Sequence, residues 1–292
     1  MKEKRISIGS IEGELSEARN EVLTGYLGEY RPDMEVVTIS IRTTEKNEST
    51  AEAAAESENA LEDALRSGLT DLTFRDLTEI PYQIPDELPI VAYAKRTDPR
   101  DALVLPKGKA RPDPSRPMAT TTLMKAVQLK QIFPDFRFAI AKGTISGLVE
   151  RVDDGHYSGI VMPSSDLVLS GFQKRISRYF SEQELMPDPG QGILAAQGRA
   201  EENYSYLEGF SDEESACEAV SERVFADMVT RGRSAAASAS ARIEDGTLIL
   251  RGLCYDRKIK KLTRGVISGP ASKAGALGAS LAEKLRAECG RD

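Results

Sequence analysis

The sequence predicts two α/β domains followed by a small α+β domain, and three observations carry this. Strand and helix patterns alternate through the first ninety-odd residues. The alternation starts again after the polar, proline-rich interval LPKGKARPDPSRP at 105–117. Beyond residue 210 it gives way to helix, three successive strands and helix.

In the first region RISIG and EVVTISI alternate with period two, while Ala18, Val22, Tyr26 and Leu27 recur at helical spacing between them. A second helix is marked by Ala60, Leu61, Ala64 and Leu65 and stopped by Gly68; it leads to the short strand DLTF and then to LPIVAYA. In the second region Leu123, Val127 and Ile132 mark a helix, FRFAIA a strand, ISGLVERVDD a helix and YSGIVMP a strand. In the third, Ser211 and Glu214 are spaced as a capping box ahead of a helix carrying Ala216, Val220 and Val224. Strands are predicted at about 235–243, 247–255 and 260–268, before a last helix with Leu277, Leu281 and Leu285 on one face.

Composition narrows the function. The 292 residues, 40% hydrophobic and 29% charged, suit a soluble globular chain with full cores. A formal net charge of −7 argues against a nucleic-acid or anionic-membrane binder, which needs a basic surface to displace counterions. The densest basic run, DRKIKKLTR at 256–264, reads as the wet face of a hairpin. There is no apolar run of membrane-spanning length and the N-terminus lacks an apolar leader, so a cytoplasmic location is expected. Cys217, Cys254 and Cys289 are odd in number and far apart, which suggests neither a zinc site nor a disulfide framework. The one histidine, His156, lies in the polar turn DDGHYSG and reads as a solvated ring.

The most distinctive stretch is LMPDPGQGILAAQGR at 185–199. Its Gly190-x-Gly192-x-x-Ala195 spacing touches the dinucleotide fingerprint, but Pro187 and Pro189 stand where a buried strand should run. The segment reads instead as a rigid turn feeding a strand. It resembles the corresponding turn of the hydroxymethylbilane synthase (porphobilinogen deaminase) family. The resemblance extends over nearly the whole chain through RISIGS, LTEIP, RTDPRDALV, TTTLMKAVQL, KGTISGLVERVDDGHYSGIVMPSSDL, SERVF and LILRGL.

The resemblance implies two periplasmic-binding-protein-like α/β domains with the site between them, plus a small C-terminal domain. The boundaries it implies are 1–95, completed by about 190–208, then 96–189 and 210–292. In the family a cysteine of the third domain holds a dipyrromethane to which four porphobilinogen units are added. Arginines bind the carboxylates of the growing chain, and an aspartate stabilises the positive charge of ammonia loss and coupling. On this correspondence Arg233, in RGRSAAAS, stands at the cofactor cysteine, and a guanidinium cannot form the thioether. Glu79 stands at the catalytic aspartate, one methylene longer, and equally reads as a solvated strand-end charge. Ile11, Met124, Leu148 and Leu169 replace cleft arginines; Lys125 and Lys142 replace two more, either as remaining anion contacts or as exposed charges. EAAAES at 52–57 replaces the family's glycine-rich mobile loop with a helix-forming run carrying Glu52 and Glu56. An ion pair between Arg233 and Glu79 is a further expectation.

The expected function is therefore a non-catalytic or repurposed homologue without dipyrromethane, binding an unidentified small molecule or protein partner. The alternative is an active hydroxymethylbilane synthase with unusual cofactor attachment. A generic solute binder is a third reading.

Overall fold

A computed structural model describes residues 4–42 and 51–289. The chain begins β1 (Lys4–Ile11), α1 (Glu14–Tyr30), β2 (Met34–Ile41), α2 (Ala51–Arg66), β3 (Leu72–Asp76), β4 (Ile90–Tyr93). It crosses to a second sheet through β5 (Asp101–Val104), β6 (Met118–Thr120), α3 (Leu123–Ile132), β7 (Phe138–Ile140), α4 (Ile145–Asp153), β8 (Ile160–Pro163), α5 (Ser164–Leu169) and β9 (Ile176–Tyr179). It then returns as β10 (Leu194–Gly198), and the remainder is α6 (Glu213–Thr230), β11 (Ala235–Glu244), β12 (Thr247–Asp256), β13 (Lys261–Pro270) and α7 (Ala274–Cys289).

Two five-stranded sheets result, ordered β2-β1-β3-β10-β4 and β7-β6-β8-β5-β9, with a separate β11-β12-β13 meander. The chain thus folds as two α/β domains and a small α+β domain. In each large sheet three parallel strands are joined by helical crossovers, while one strand runs antiparallel to its neighbours: β10 beside β3 and β4, β5 beside β8 and β9. Every residue of β3, β5, β6 and β10 is buried, so these strands show no polar–apolar alternation. That is why β5 and β6 carry no periodic signal in the sequence.

The two crossing segments are bonded to each other. Thr97 donates its N–H and hydroxyl to the Gly192 carbonyl at 2.8 and 3.0 Å. Between them and α6 lies a buried ionic knot: Arg96 donates to Glu222 at 2.6 Å, to Glu218 at 3.2 Å and to the Gln191 carbonyl at 3.1 Å. Glu222 also accepts the backbone N–H of Gly190 (2.7 Å) and of Ala241 (2.6 Å), which ties the 187–192 turn to the C-terminal sheet. Gly190 has φ +86°, and a Cβ there would lie 2.9 Å from the Leu77 side chain. Glycine is therefore required both by conformation and by space.

Helices α6 and α7 cover one face of the meander, where Phe225, Ala237, Leu250, Cys254, Leu281 and Leu285 form the core. The opposite face carries Ala236 and Leu253 against Met124 and Met186. Two sequence expectations are corrected here. The cap of α6 is Asp212, whose side chain accepts the Ser215 N–H at 2.8 Å, whereas the Ser211 hydroxyl accepts from the Tyr93 N–H. On α1 the buried face is Arg19, Asn20, Leu23 and Leu27, with Val22 39% exposed, a rotation that aims a guanidinium inward.

Candidate functional site

In an open α/β sheet, ligands settle outside the carboxyl ends of the strands where successive crossovers leave on opposite sides. In the first sheet that point lies between β1 and β3, and in the second between β6 and β8. At the first of these points a cavity of about 440 Å3 is lined by the turn after β1, the start of α1, Ser57 and Glu58 of α2, the end of β3 with Thr78 and Glu79, and, from the second domain, Gly143, Thr144 and Ile145 at the start of α4 and Ser170 after α5.

Strand β3 ends in Asp76, whose carboxylate accepts the Thr78 N–H (2.9 Å) and hydroxyl (2.5 Å) and so starts a single 3-10 turn, Leu77–Glu79. Leu77 is buried, its N–H bonded to the Ile193 carbonyl at 2.9 Å, which fixes the turn and presents Glu79 to the cavity. Arg19 crosses from α1 with only 3% exposure and donates to Glu79 Oε1 at 2.5 Å and to Asp166 Oδ1, in the first turn of α5, at 3.0 Å. One guanidinium thus joins both domains and bonds two carboxylates, with the buried Asp76 carboxyl near enough to feel its charge. Burial pushes Asp76 up to about 6 against the attraction of Arg19, and it raises Asp166 in the same way. Burial also opposes the Arg19 charge, but Glu79, Asp76 and Asp166 outweigh it and hold the group protonated.

The other cavity arginine is equally engaged. Arg75 donates to both oxygens of Glu58, one of them at 2.9 Å, and to Gln197 Oε1 at 2.9 Å. Neither guanidinium presents an unshared charge, whereas Glu79 remains 48% exposed at its side chain.

The structure distributes the sequence candidates among different environments. Ile11 is half-buried and lines the cavity. Lys142 is exposed beside Gly143, its carbonyl accepting from Arg151 at 2.7 Å. Leu169 is half-buried next to Ser170. Leu148 is buried in the core of the second domain and Met124 between that domain and the C-terminal sheet, so neither side chain reaches the cavity. Lys125 is no surface or cleft cation: it is 0% exposed, donating to Asp188 and to Gln191 Oε1 at 2.8 Å, with Asp101 Oδ1 at 3.5 Å. Burial opposes its charge, but Asp101 and Asp188 raise its pKa, while burial pushes Asp101 up to about 7 against Lys125. Arg233 sits in the turn before β11, its guanidinium 3.8 Å from Asp256. The expected Arg233–Glu79 pair is thus replaced by Arg19–Glu79, and Arg233 is absent from the cavity lining. Residues 52–57 do continue a helix, but the side chain of Glu52 lies outside what is described.

Comparison with known proteins places this arrangement. Residues 6–206 match the family model described as "Porphobilinogen deaminase, dipyromethane cofactor binding domain". The chain belongs to the porphobilinogen deaminase family. Porphobilinogen deaminase of Ruminiclostridium josui is 32% identical over 288 residues, covering 97% of this chain and 98% of the relative. That of Acetivibrio thermocellus is also 32% identical, covering 96% and 98%. Among solved structures, the methionine binding protein MetQ is 14% identical with a TM-score of 0.42, covering 75% of this chain and 90% of that one.

The match corrects the expectation of a chain without dipyrromethane, because most of the sequence is the domain described by its binding of that group. The described residues do not, however, fit the family's sulfur linkage. Cys254 is buried on the helix-covered face of the meander against Cys289, the last residue of α7, and half-buried Cys217 lies on α6. No thiol among the described residues lines the cavity.

Proposed function

We propose that the interdomain cleft takes porphobilinogen, and that the chain acts in tetrapyrrole biosynthesis by releasing ammonia from it. One observation carries this reading: Glu79 projects from the β3 turn into the cleft at the first sheet's switch point, facing residues of the second domain, in a chain that aligns along its length with porphobilinogen deaminases. Loss of ammonia from the aminomethyl carbon leaves positive charge on the pyrrole until the free α-carbon of a second pyrrole bonds to that methylene carbon and gives up its proton. A fixed carboxylate beside the first pyrrole stabilises that charge without having to reorganise. Arg19 holds the carboxylate in place through its 2.5 Å bond to Oε1. Incubation with porphobilinogen, following ammonia release and loss of Ehrlich-reactive pyrrole, tests the proposal; no turnover above the spontaneous rate refutes it.

A second reading is favoured by the paired state of Arg19 and Arg75 and by Arg233 in the loop before β11. In that reading the cleft binds a single pyrrole and does not elongate it, since a polyacid chain needs several unshared cations. A thermal shift with porphobilinogen, unaccompanied by ammonia release, distinguishes it.

A further inference from the structure

A second cavity, of about 380 Å3, lies away from the cleft, between α3, residues 182–186 and the open face of β12 and β13. Its size falls in the range of about 300–1,000 Å3 usual for small-molecule pockets. The antiparallel register sets Arg251 opposite Val266 and Leu253 opposite Arg264, so guanidinium and apolar side chains alternate diagonally on one face. Met186 and Leu253 extend the apolar floor, and Val266 stands 55% exposed above it.

The charges around this floor are unevenly satisfied. Glu182 is taken by the Ser240 hydroxyl and Arg242, and Glu184 by Arg178 and by the Ser181 N–H at 2.9 Å. Among the described residues Arg264 reaches only the neutral Gln131 Oε1, at 3.5 Å, and the Arg251 side chain has no ion pair or hydrogen bond. The unshared charge of the groove is therefore positive, on two adjacent strands above an apolar surface. Guanidiniums so placed favour a carboxylate, and the floor favours a flat apolar body attached to it.

We propose that this groove is a second ligand site, for a small aromatic carboxylate that contacts the second domain and the C-terminal sheet together. The probe is 8-anilinonaphthalene-1-sulfonate titrated into the full chain, with 2-naphthoate and its neutral analogue 2-naphthamide as competitors. We expect saturable binding of one probe, displaced by the naphthoate and not by the amide. Replacing both cations (R251Q/R264Q) should weaken binding by about tenfold or more, since each supplied a charge-assisted hydrogen bond. Val266→Trp, which fills the groove from an exposed position, should weaken it as well, with the melting temperature of the free protein unchanged in both variants. Wild-type affinity in either variant, displacement by the amide, or no binding to the native chain overturns the proposal.

Discussion

Replacing Lys125 by methionine tests the interior of the second domain. The change keeps the apolar stem and removes an ammonium that is 0% exposed and shared by Asp188, Asp101 and Gln191. Asp188 retains some solvent and the Thr122 hydroxyl, but Asp101 is wholly buried and keeps no counter-ion. Removing one partner of a buried pair costs about 3–5 kcal/mol, which corresponds to a fall in Tm of roughly 10 °C for a chain of this size. The sign with pH follows from Asp101, which is raised to about 7 from 3.8. A carboxyl raised on folding leaves stability intact below its unfolded pKa and removes it as pH rises through the folded value. Without Lys125 that value climbs further, so the K125M deficit should be small near about pH 4 and largest near about pH 8. Restoring neutrality with D101N in the same chain should recover most of the loss, because a buried pair replaced as a whole is often neutral in effect. Urea melts of the two single variants, the double variant and wild type form the cycle. A pH-independent K125M deficit below about 1 kcal/mol, or a double variant no more stable than K125M, refutes the reasoning.

Glu79→Gln keeps an acceptor for Arg19 and removes the charge, so ammonia release from porphobilinogen should fall by about 10²–10³ in kcat with little change in Tm. Asp76 sits at about 6 instead of 3.8, so wild-type stability should decline by up to about 3 kcal/mol as pH rises from about 4 to 6, and Asp76→Asn should flatten that decline in thermal melts. Gly190→Ala meets a positive φ and the Leu77 side chain together and should cost about 1–3 kcal/mol by denaturant unfolding. A thiol reagent should modify Cys217 first, since Cys254 is held at about 12 by burial beside Cys289, and these two buried thiols should react only after unfolding.

Periodicity is sufficient where an element presents one wet face. It places β1, β2, α2 and α7 closely, because each alternates or repeats against one core. It fails where both sides are buried or where the partner is distant in sequence. Strands β5 and β6 are three or four residues long and covered on both faces. Arg19 carries no signal in the sequence, because its partners, Glu79 and Asp166, lie 60 and 147 residues away. Lys125 reads as a cleft or surface cation for the same reason, since Asp188 reaches it only after the chain has run through the rest of the second domain. Arg96 carries a weak signal, a cation inside the family-like run RTDPRD, but its two glutamates on α6 become visible only in three dimensions.

The cleft turns these long-range pairings into one argument about affinity. Each guanidinium lining it already holds a carboxylate, so an incoming acid gains little by simple addition and must enter by exchange. At Arg19 the group most open to displacement is Glu79, which is half-exposed, whereas Asp166 is largely buried in the second domain. A ligand carboxylate that takes Glu79's place on Arg19 leaves the buried charge compensated, because the large loss on breaking a buried ion pair arises from a missing partner and not from an exchanged one. Arg75 offers no such exchange, because Glu58 is bidentate and largely buried and Gln197 accepts from the same guanidinium. On the second reading proposed above, a cleft with one exchangeable guanidinium would take one small acid at a time, whereas holding a lengthening polycarboxylate would need further unshared cations.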